Sequence, residues 1–536
     1  MWTAPLWLPE PELSPAEEKM AARAAKKKKL FVFLREIRGE LFDLAFQEEL
    51  IDMYRQTGAG KPPLPPALLA MATLLPAYTG VADQEAVELT IDSKRWQMVL
   101  GCLGADEPLF SQGALFDFRM RLLSTDRDQR LLERTVELAR ARGGFDAKVL
   151  RLALDSSPRW GHGRVEDTLN LLGHAAHQVI ACLAELTQHE VTQVIEQIGV
   201  SLFDAPRIQA ALDIDWADAV QKQQALQRLC DELDALQRWI SEHVAVELHQ
   251  PPLTAALTPL QTVMAQDLEP DPVGGGTQIR EGVAKDRRIS IADEEMRHGR
   301  KASATRCDGY KRHIARDLDD EVILAAEVLP AHTPATAGLA PLLLAVELPP
   351  RQVISLHIDR GYLGDDLIHT FDTQGVEIVC KPWPVGNPAG HFSKRDFQID
   401  LTTLQATRPA GQVILIPPGK TACFPATVCT PCPLRAHCTS RETGGRTLTI
   451  HPQEDLLQRL SVLPTTAEGR AALRERVAVE HGLAHVSQRQ GNCARFNGTR
   501  KNTYHLRLVC AVQNLERAQA LSEQANSDEL LERLAA

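Results

Sequence analysis

"RQVISLHIDRGYLGDD", residues 351–366, decides how the middle of the chain folds. Val353, Ile354, Leu356 and Ile358 cluster as in a largely buried strand, and Asp359 stands where that apolar run stops and the chain turns at Gly361. An isolated Asp-x-Gly is ordinary turn chemistry, since Asp bonds its own backbone and Gly takes the turn. At the carboxyl end of a buried strand, however, a carboxylate is held on rigid backbone and opens into the crevice where open α/β sheets receive ligands. What matters is whether other acids reach the same place.

Upstream, "KVLRLALDSS" (148–157) repeats the arrangement: Val149, Leu150, Leu152 and Leu154 predict a buried strand ending at Asp155. Between the two acids, "GYKRHIARDLDDEVILAAEVLP" (309–330) predicts a hairpin turning at Asp319-Asp320, and "GLAPLLLAVEL" (338–348) a helix. One further strand, "GVEIVCKPWP" (375–384), follows Asp359, and the helical "AEGRAALRERVAVEHGLAHV" (467–486) comes after an insertion. Strand, hairpin, helix, strand, strand and helix is the mixed α/β order of ribonuclease H-like domains. In that fold the first and fourth strands lie side by side, so acids far apart in sequence converge on one metal site, and a third carboxylate is required.

A chain of 536 residues, 44% hydrophobic, is long enough for about three domains and buries several cores. The start, "MWTAPLWLPEPELSPAEEKM", lacks the basic region and apolar core of a secretory signal, and no apolar run approaches the ~18 residues that span a bilayer. A cytoplasmic location is expected. Eleven cysteines are few for a disulfide scaffold of this length, and Cys102, Cys182, Cys230 and Cys380 stand singly in apolar contexts.

The net charge of −11 argues against a protein whose whole surface binds nucleic acid, but the charge is segregated. Asp204 to Glu247 carries nine acids and four bases; His481 to Leu515 carries five bases and no acid; Lys285 to Arg316 carries ten bases and five acids. The two basic stretches are candidates for phosphate contacts. Residues 1–145 predict a helical N-terminal domain, broken by Gly and Pro at "TGAGKPPLPP" (57–66), whose last short helix, "ALFDFRMRLL", follows Ser111 as a polar cap. As a helix-turn-helix variant this unit would lay Arg119 and Arg121 on DNA. The first parts of the core are expected at 146–160 and 286–385, separated by an acidic helical insertion over 161–285 that ends in the linker-like "LEPDPVGGGTQI". A second insertion spans 386–465, and 466–536 supplies the closing helices.

These pieces together resemble the DDE transposases of bacterial insertion sequences, in the group with an InsH-type helical N-terminal domain. The resemblance covers nearly the whole chain. It is carried by "PPLPPALLAMATLLPAYTGVADQEAVE" and "FSQGALFDFRMRLL" near the start, and by "ALDSSPRWGHGRVEDTLNLLGHA" around Asp155. It continues through "DRRISIADEEMRHGRKASATRCDGYKRHIARD", "HIDRGY", "CTPCPLRAHCT" and "RERVAVEHGLAHVSQRQGNCARFNGTRKN". The resemblance implies Asp155, Asp359 and Glu480 as the acids that hold Mg²⁺, with Mn²⁺ as a substitute. It also implies double-stranded DNA as substrate, in the form of terminal inverted repeats and target, and at least a homodimer on that DNA.

Related transposases set an Arg four residues before the third acid, as Arg476 stands before Glu480, which puts both on one helical face. They also carry a Tyr three before that Arg and a Lys seven after the Glu; here Leu473 and Ser487 occupy those positions, and Arg489 is the nearby base. The DNA-contact candidates are Arg119, Arg121, Lys311, Arg312, Arg360, Arg476, Arg489, Arg495, Arg500 and Lys501. A ribonuclease H-like nuclease that cuts without joining, or a domesticated DNA-binding protein, are the alternatives.

Cys423, Cys429, Cys432 and Cys438 form C-x5-C-x2-C-x5-C, whose central pair has the spacing that grips a tetrahedral ion; structural Zn²⁺ or a cysteine-lined mini-core is expected. His481 and His485 lie one helical turn apart beside Glu480, without the order of a zinc hydrolase, and suit phosphate contact or packing. His174 and His177 are expected to be structural, and the glycines at 274–276 have no lysine placed to cradle phosphate.

Overall fold

The structure is a computed structural model that describes residues 4–24, 26, 28–54, 62–145, 148–244, 250–272, 274–302, 305–347, 351–384, 386 and 390–535. Its central sheet is built from β1 (Val149–Trp160), β2 (Arg297–Ala302), β3 (Thr305–Asp317), β4 (Ile323–Pro330), β5 (Gln352–His357) and β6 (Glu377–Val379). The strands run β6–β5–β1–β3, and both β2 and β4 pair with the far edge of β3. β1 is antiparallel to β3 and parallel to β5, and β5 is parallel to β6. This mixed α/β sheet has the ribonuclease H-like order expected of the sequence. Leu150, Leu152, Ala153 and Leu154 are all buried, which is why the strand is apolar at consecutive positions: both faces of the sheet are covered.

One expectation is corrected. β1 does not stop at Asp155 but runs on to Trp160, which opposes Gly309 of β3. Its parallel partner β5 stops earlier, with His357 opposite Ala153. Asp155 therefore sits in mid-strand, at the point where the β5 side of the strand becomes free and the crevice opens.

Gly309 allows the long β1–β3 pairing to close. It has φ +154°, and a Cβ there would lie 2.1 Å from the Gly161 amide nitrogen and 2.5 Å from the Arg159 carbonyl oxygen. Both are backbone atoms that cannot step aside. Gly309→Ala is expected to destabilise the protein by about 1–3 kcal/mol or more, seen as a lower denaturation midpoint with an unchanged slope.

The helices used below are α1 (Lys29–Leu41), α2 (Pro66–Thr79), α3 (Gln112–Ser124), α4 (Arg127–Gly143), α5 (Thr168–Thr187), α6 (Ala219–His243), α7 (Leu253–Asp267), α8 (Leu339–Glu347), α9 (Ala467–Glu475), α10 (Val477–Gln490) and α11 (Thr499–Ala535). Ser111 caps α3, accepting from the Ala114 amide at 3.1 Å, as its sequence indicates. The Gly/Pro break at 57–66 falls partly on residues 57–61, outside the described residues.

The N-terminal helices and the sheet share one hydrophobic core, in which Phe31, Leu69, Phe118 and Leu132 join Leu152, Ile314, Leu356 and Val509. α11 makes that continuity, packing against α4, α2 and β4. A buried ion cluster adds to it: Arg140 of α4 reaches Asp317 at 2.8 Å and Asp320 at 2.5 Å in the β3–β4 turn. The insertion keeps its own core, with Leu172, Val179, Leu229, Leu236 and Leu260 from α5, α6 and α7. Its closing stretch, expected as loose linker, instead folds back as a short antiparallel hairpin of Leu268–Pro270 with Thr277–Ile279. The cysteine-bearing insertion has a third, small core around Phe397, Phe424, Cys429 and Cys438.

Candidate active site and nucleic-acid face

Asp155 and Asp359 are brought together by the parallel register of β1 and β5. Leu152 opposes Leu356 and Ala153 opposes His357, so the register carried two residues further sets Asp155 beside Asp359. Asp359 also does the local work its sequence suggests. Its Oδ1 accepts from the Arg360 amide at 2.7 Å and caps the short turn Arg360–Tyr362. Tyr362 ties that turn down: it is buried, and its hydroxyl lies 3.0 Å from His313 Nδ1.

Glu480 arrives in the first turn of α10, which packs on β1. Arg476 joins the two sides, with Nη1 3.6 Å from Asp155 Oδ1 and Nη2 paired with Glu480. Burial pushes the Asp155 carboxyl above its ordinary range; the Ser156 amide and Arg476 oppose that shift, and the charges of Glu480 and Asp359 add to it. The charges of Glu480 and Asp359 thus reach Asp155. The donors of the three carboxylates are all hard oxygen, the kind that a divalent cation such as Mg²⁺ takes, and Arg476 lies among them.

The predicted single helix over 467–486 is broken at Arg476, which ends α9 and begins α10. Glu475, the last residue of α9, pairs with Arg151 of β1 and lies 3.9 Å from His357 Nε2 of β5. The break is therefore fastened to both strands that carry the aspartates. Glu475→Gln is expected to loosen the placement of Arg476 and Glu480, lowering kcat about tenfold, or about 1.4 kcal/mol, while DNA affinity stays within about twofold. Single-turnover cleavage beside a binding titration checks the split. Neither Glu475 nor Arg151 was marked as a site residue by its sequence context. His357 had one signal, the period-two alternation that sets it on the face of Asp359.

The basic candidates divide into those turned inward and those left open. Arg119 pairs with Asp83, because Leu115, Phe118 and Leu122 turn that side of α3 into the core. Phe116 and Met120 face outward instead, so α3 does not present Arg119 to DNA as expected. Arg121 lies over the Tyr54 ring at 4.5 Å. Arg312 is buried and bonds Ser157 Oγ at 2.8 Å and Gln490 Oε1 at 2.9 Å, a structural role in place of the expected contact. Lys311 donates to the Thr333 carbonyl at 2.7 Å, and Arg500 pairs with the buried Asp128 at 2.6 Å. Arg489 pairs with Glu516 at 2.7 Å and stacks over Tyr78 at 5.4 Å. Arg360, Arg495 and Lys501 are exposed, with Arg495 3.7 Å from Asp83.

In the cysteine-bearing insertion, Cys429 and Cys438 are buried, Cys432 is half-buried and Cys423 is exposed. Arg408 Nη1 lies 3.4 Å from Cys429 Sγ. Burial raises the Cys438 thiol, and Cys429 and Cys432 are close enough to raise it further. Among the described residues no group of three or more His, Cys, Asp or Glu side chains is gathered as a ready metal site, here or at the aspartates. His174 pairs with Glu166, and His177 Nδ1 lies 2.8 Å from the Phe203 carbonyl oxygen, so both are built into the insertion. No helix among the described residues is long and apolar enough to cross a membrane.

Two family models match the chain. One, described as a transposase DDE domain, matches residues 417–519, a segment that holds Glu480 and the four clustered cysteines. The other, described as a transposase domain (DUF772), matches residues 21–121, the N-terminal helices through most of α3. No curated protein and no solved structure matches it. Asp155 and Asp359 lie outside both matched segments, yet the sheet carries them to the helix that holds Glu480. With segments similar to transposases near both ends of one chain and a ribonuclease H-like sheet between them, these matches support a DDE transposase of an insertion sequence.

Proposed function

We propose that this transposase binds the ends of its element as double-stranded DNA, cuts a strand there and joins the freed end to target DNA, using Asp155, Asp359 and Glu480. The observation that supports this most is Arg476, which lies against Asp155 and pairs with Glu480 where the β1–β5 register runs out toward Asp359. Mg²⁺ ions, or Mn²⁺ in their place, held by these carboxylates would activate the attacking oxygen and relieve charge on the leaving one, as a two-metal site does.

The chain's own groups do the rest. Arg476 is positioned to move from carboxylate to phosphate, and the Tyr362–His313 contact keeps the Asp359 turn rigid. The exposed Arg360 next to Asp359 is a phosphate contact, and Arg495 and Lys501 extend the basic face. Assembly on paired ends requires at least a dimer. For the cysteine module, zinc on Cys423, Cys429, Cys432 and Cys438 would cross-link the small core and leave the chemistry untouched.

Incubating the protein with Mg²⁺, DNA spanning the ends that flank its gene and a supercoiled target tests the proposal. End cleavage with joined product is expected. Cleavage without joining makes it a nuclease of the same fold, and binding without cleavage makes it a DNA-binding protein.

A further inference from the structure

Along α10, Val479, Gly482, Leu483, Val486 and Gln490 face the core. The opposite side leaves Glu480, His481, Ala484, His485 and Gln488 exposed in one stripe that begins at the third acid. Beyond Glu480 the stripe carries no acid.

It ends in an open cleft of about 490 Å³ between α10 and the end of α2, lined by Tyr78, Thr79, Gly80, His485, Gln488, Arg489 and Glu516. Glu516 is occupied by Arg489, whose Nη1 is buried and has no hydrogen-bond partner among the described residues. On the N-terminal side the exposed Arg95 lies over the Phe31 ring at 5.6 Å, and Phe31 packs edge-on to Tyr78 at 5.3 Å. Arg95 is close enough to act on the Tyr78 hydroxyl, although burial, the larger effect, holds that hydroxyl protonated and able to donate. Tyr78, His485 and Gln488 thus bring hydrogen-bond donors to the cleft, Arg489 brings a cation already paired with Glu516, and Arg95 stands beyond Tyr78, outside the lining.

We infer that this stripe and cleft are the track for the sugar-phosphate backbone of one DNA strand leaving the carboxylates, clasped between α10 and the N-terminal domain at Arg95. The inference rests on the proposed DNA chemistry and deepens it. From Glu480 to Gln488 the helix rises about 12 Å, a length that spans about three to four base-pair rises of about 3.4 Å along a duplex axis. Phosphate is the ligand the donors suit: His485, Gln488 and Tyr78 donate without reading bases, and Arg489 and Arg95 add charge.

The test is binding of full-length protein to duplex DNA carrying the end that flanks its gene, in EDTA so that no chemistry occurs, over a series of salt concentrations. Gln488→Lys is expected to tighten binding and steepen the slope of log K against log salt by about 0.9, and Arg95→Ala to flatten it by a similar amount. Gln237→Lys, exposed on the acidic helix α6, controls for added charge elsewhere and is expected to leave the slope unchanged. If the wild type binds the ends but Gln488→Lys and Arg95→Ala keep the wild-type slope, the track is wrong and the proposed function stands. A slope that Gln237→Lys changes as much as Gln488→Lys also overturns the track. If the wild type does not bind the ends, the functional proposal itself fails, and the track with it.

Discussion

Asp359→Ala is expected to lower both end cleavage and joining by at least about a thousandfold, about 4 kcal/mol of barrier. The loss is chemical, because Asp359 is exposed and its carboxylate serves the fold by capping the Arg360 amide. Losing that cap costs about 0.5–2 kcal/mol of stability, too little to unfold a chain of this size. Removing a negative charge from the crevice should, if anything, strengthen binding of end DNA in EDTA. Loss of product with retained or tighter binding is therefore the signature. Loss of both would point to a misfolded turn. Asp155→Ala and Glu480→Ala each also remove a partner of Arg476 and should weaken cleavage and alter binding together.

The second large effect concerns folding. Arg140→Ala would leave Asp317 and Asp320 facing each other, with side chains 4% and 2% exposed, and no cation between them. Breaking a buried ion cluster in this way costs about 3–5 kcal/mol at neutral pH. Burial and the Asp320 charge already hold the Asp317 carboxyl above its ordinary value in the native protein, with Arg140 opposing them. Without Arg140 the folded-state value rises further.

An acid whose folded value is raised favours the fold in its protonated form. Below the unfolded value of about 4 the penalty is absent, and it grows as pH rises through the folded value. Denaturant midpoints should therefore separate wild type and Arg140→Ala more at pH 8 than at pH 5. Equal separation at both would show that the two aspartates do not bear the cost. The cluster ties the N-terminal helix α4 to the β3–β4 turn, so its loss should unfold both parts together.

The fold was legible where pattern and packing agree. Leu150, Leu152, Ala153 and Leu154, with Val353, Leu356 and Ile358, are apolar because they are buried, and the hairpin turned where Asp319 and Asp320 stand. The end of β1 was not legible: Ser156, Ser157 and Pro158 look like a turn, and only the antiparallel partner β3 holds them extended. Among the acids, Asp359 followed from a strand end, Asp155 from a strand that runs on past it, and the role of all three rested on resemblance; a helical Glu480 four residues after an Arg looks like any surface pair.

The basic residues were least legible. Charge runs alone do not tell a guanidinium that meets DNA from one that meets Asp83 or Asp128 in the folded chain. For Arg119 the answer was in reach, since it follows Leu115 by one helical turn and so shares the buried side of α3. Glu475 had no such signal, because its partners Arg151 and His357 are more than a hundred residues away in sequence.

The central claim is that Asp155, Asp359 and Glu480, distant in sequence, hold divalent metal at one place. Loading the full chain with Fe²⁺ and generating hydroxyl radicals from ascorbate and peroxide cuts the backbone beside bound metal. The account predicts fragments ending near residues 155, 359 and 480 together, all suppressed by excess Mg²⁺ and all lost in Asp359→Ala. Cleavage confined to one of the three, or persisting unchanged in Asp359→Ala, would contradict it.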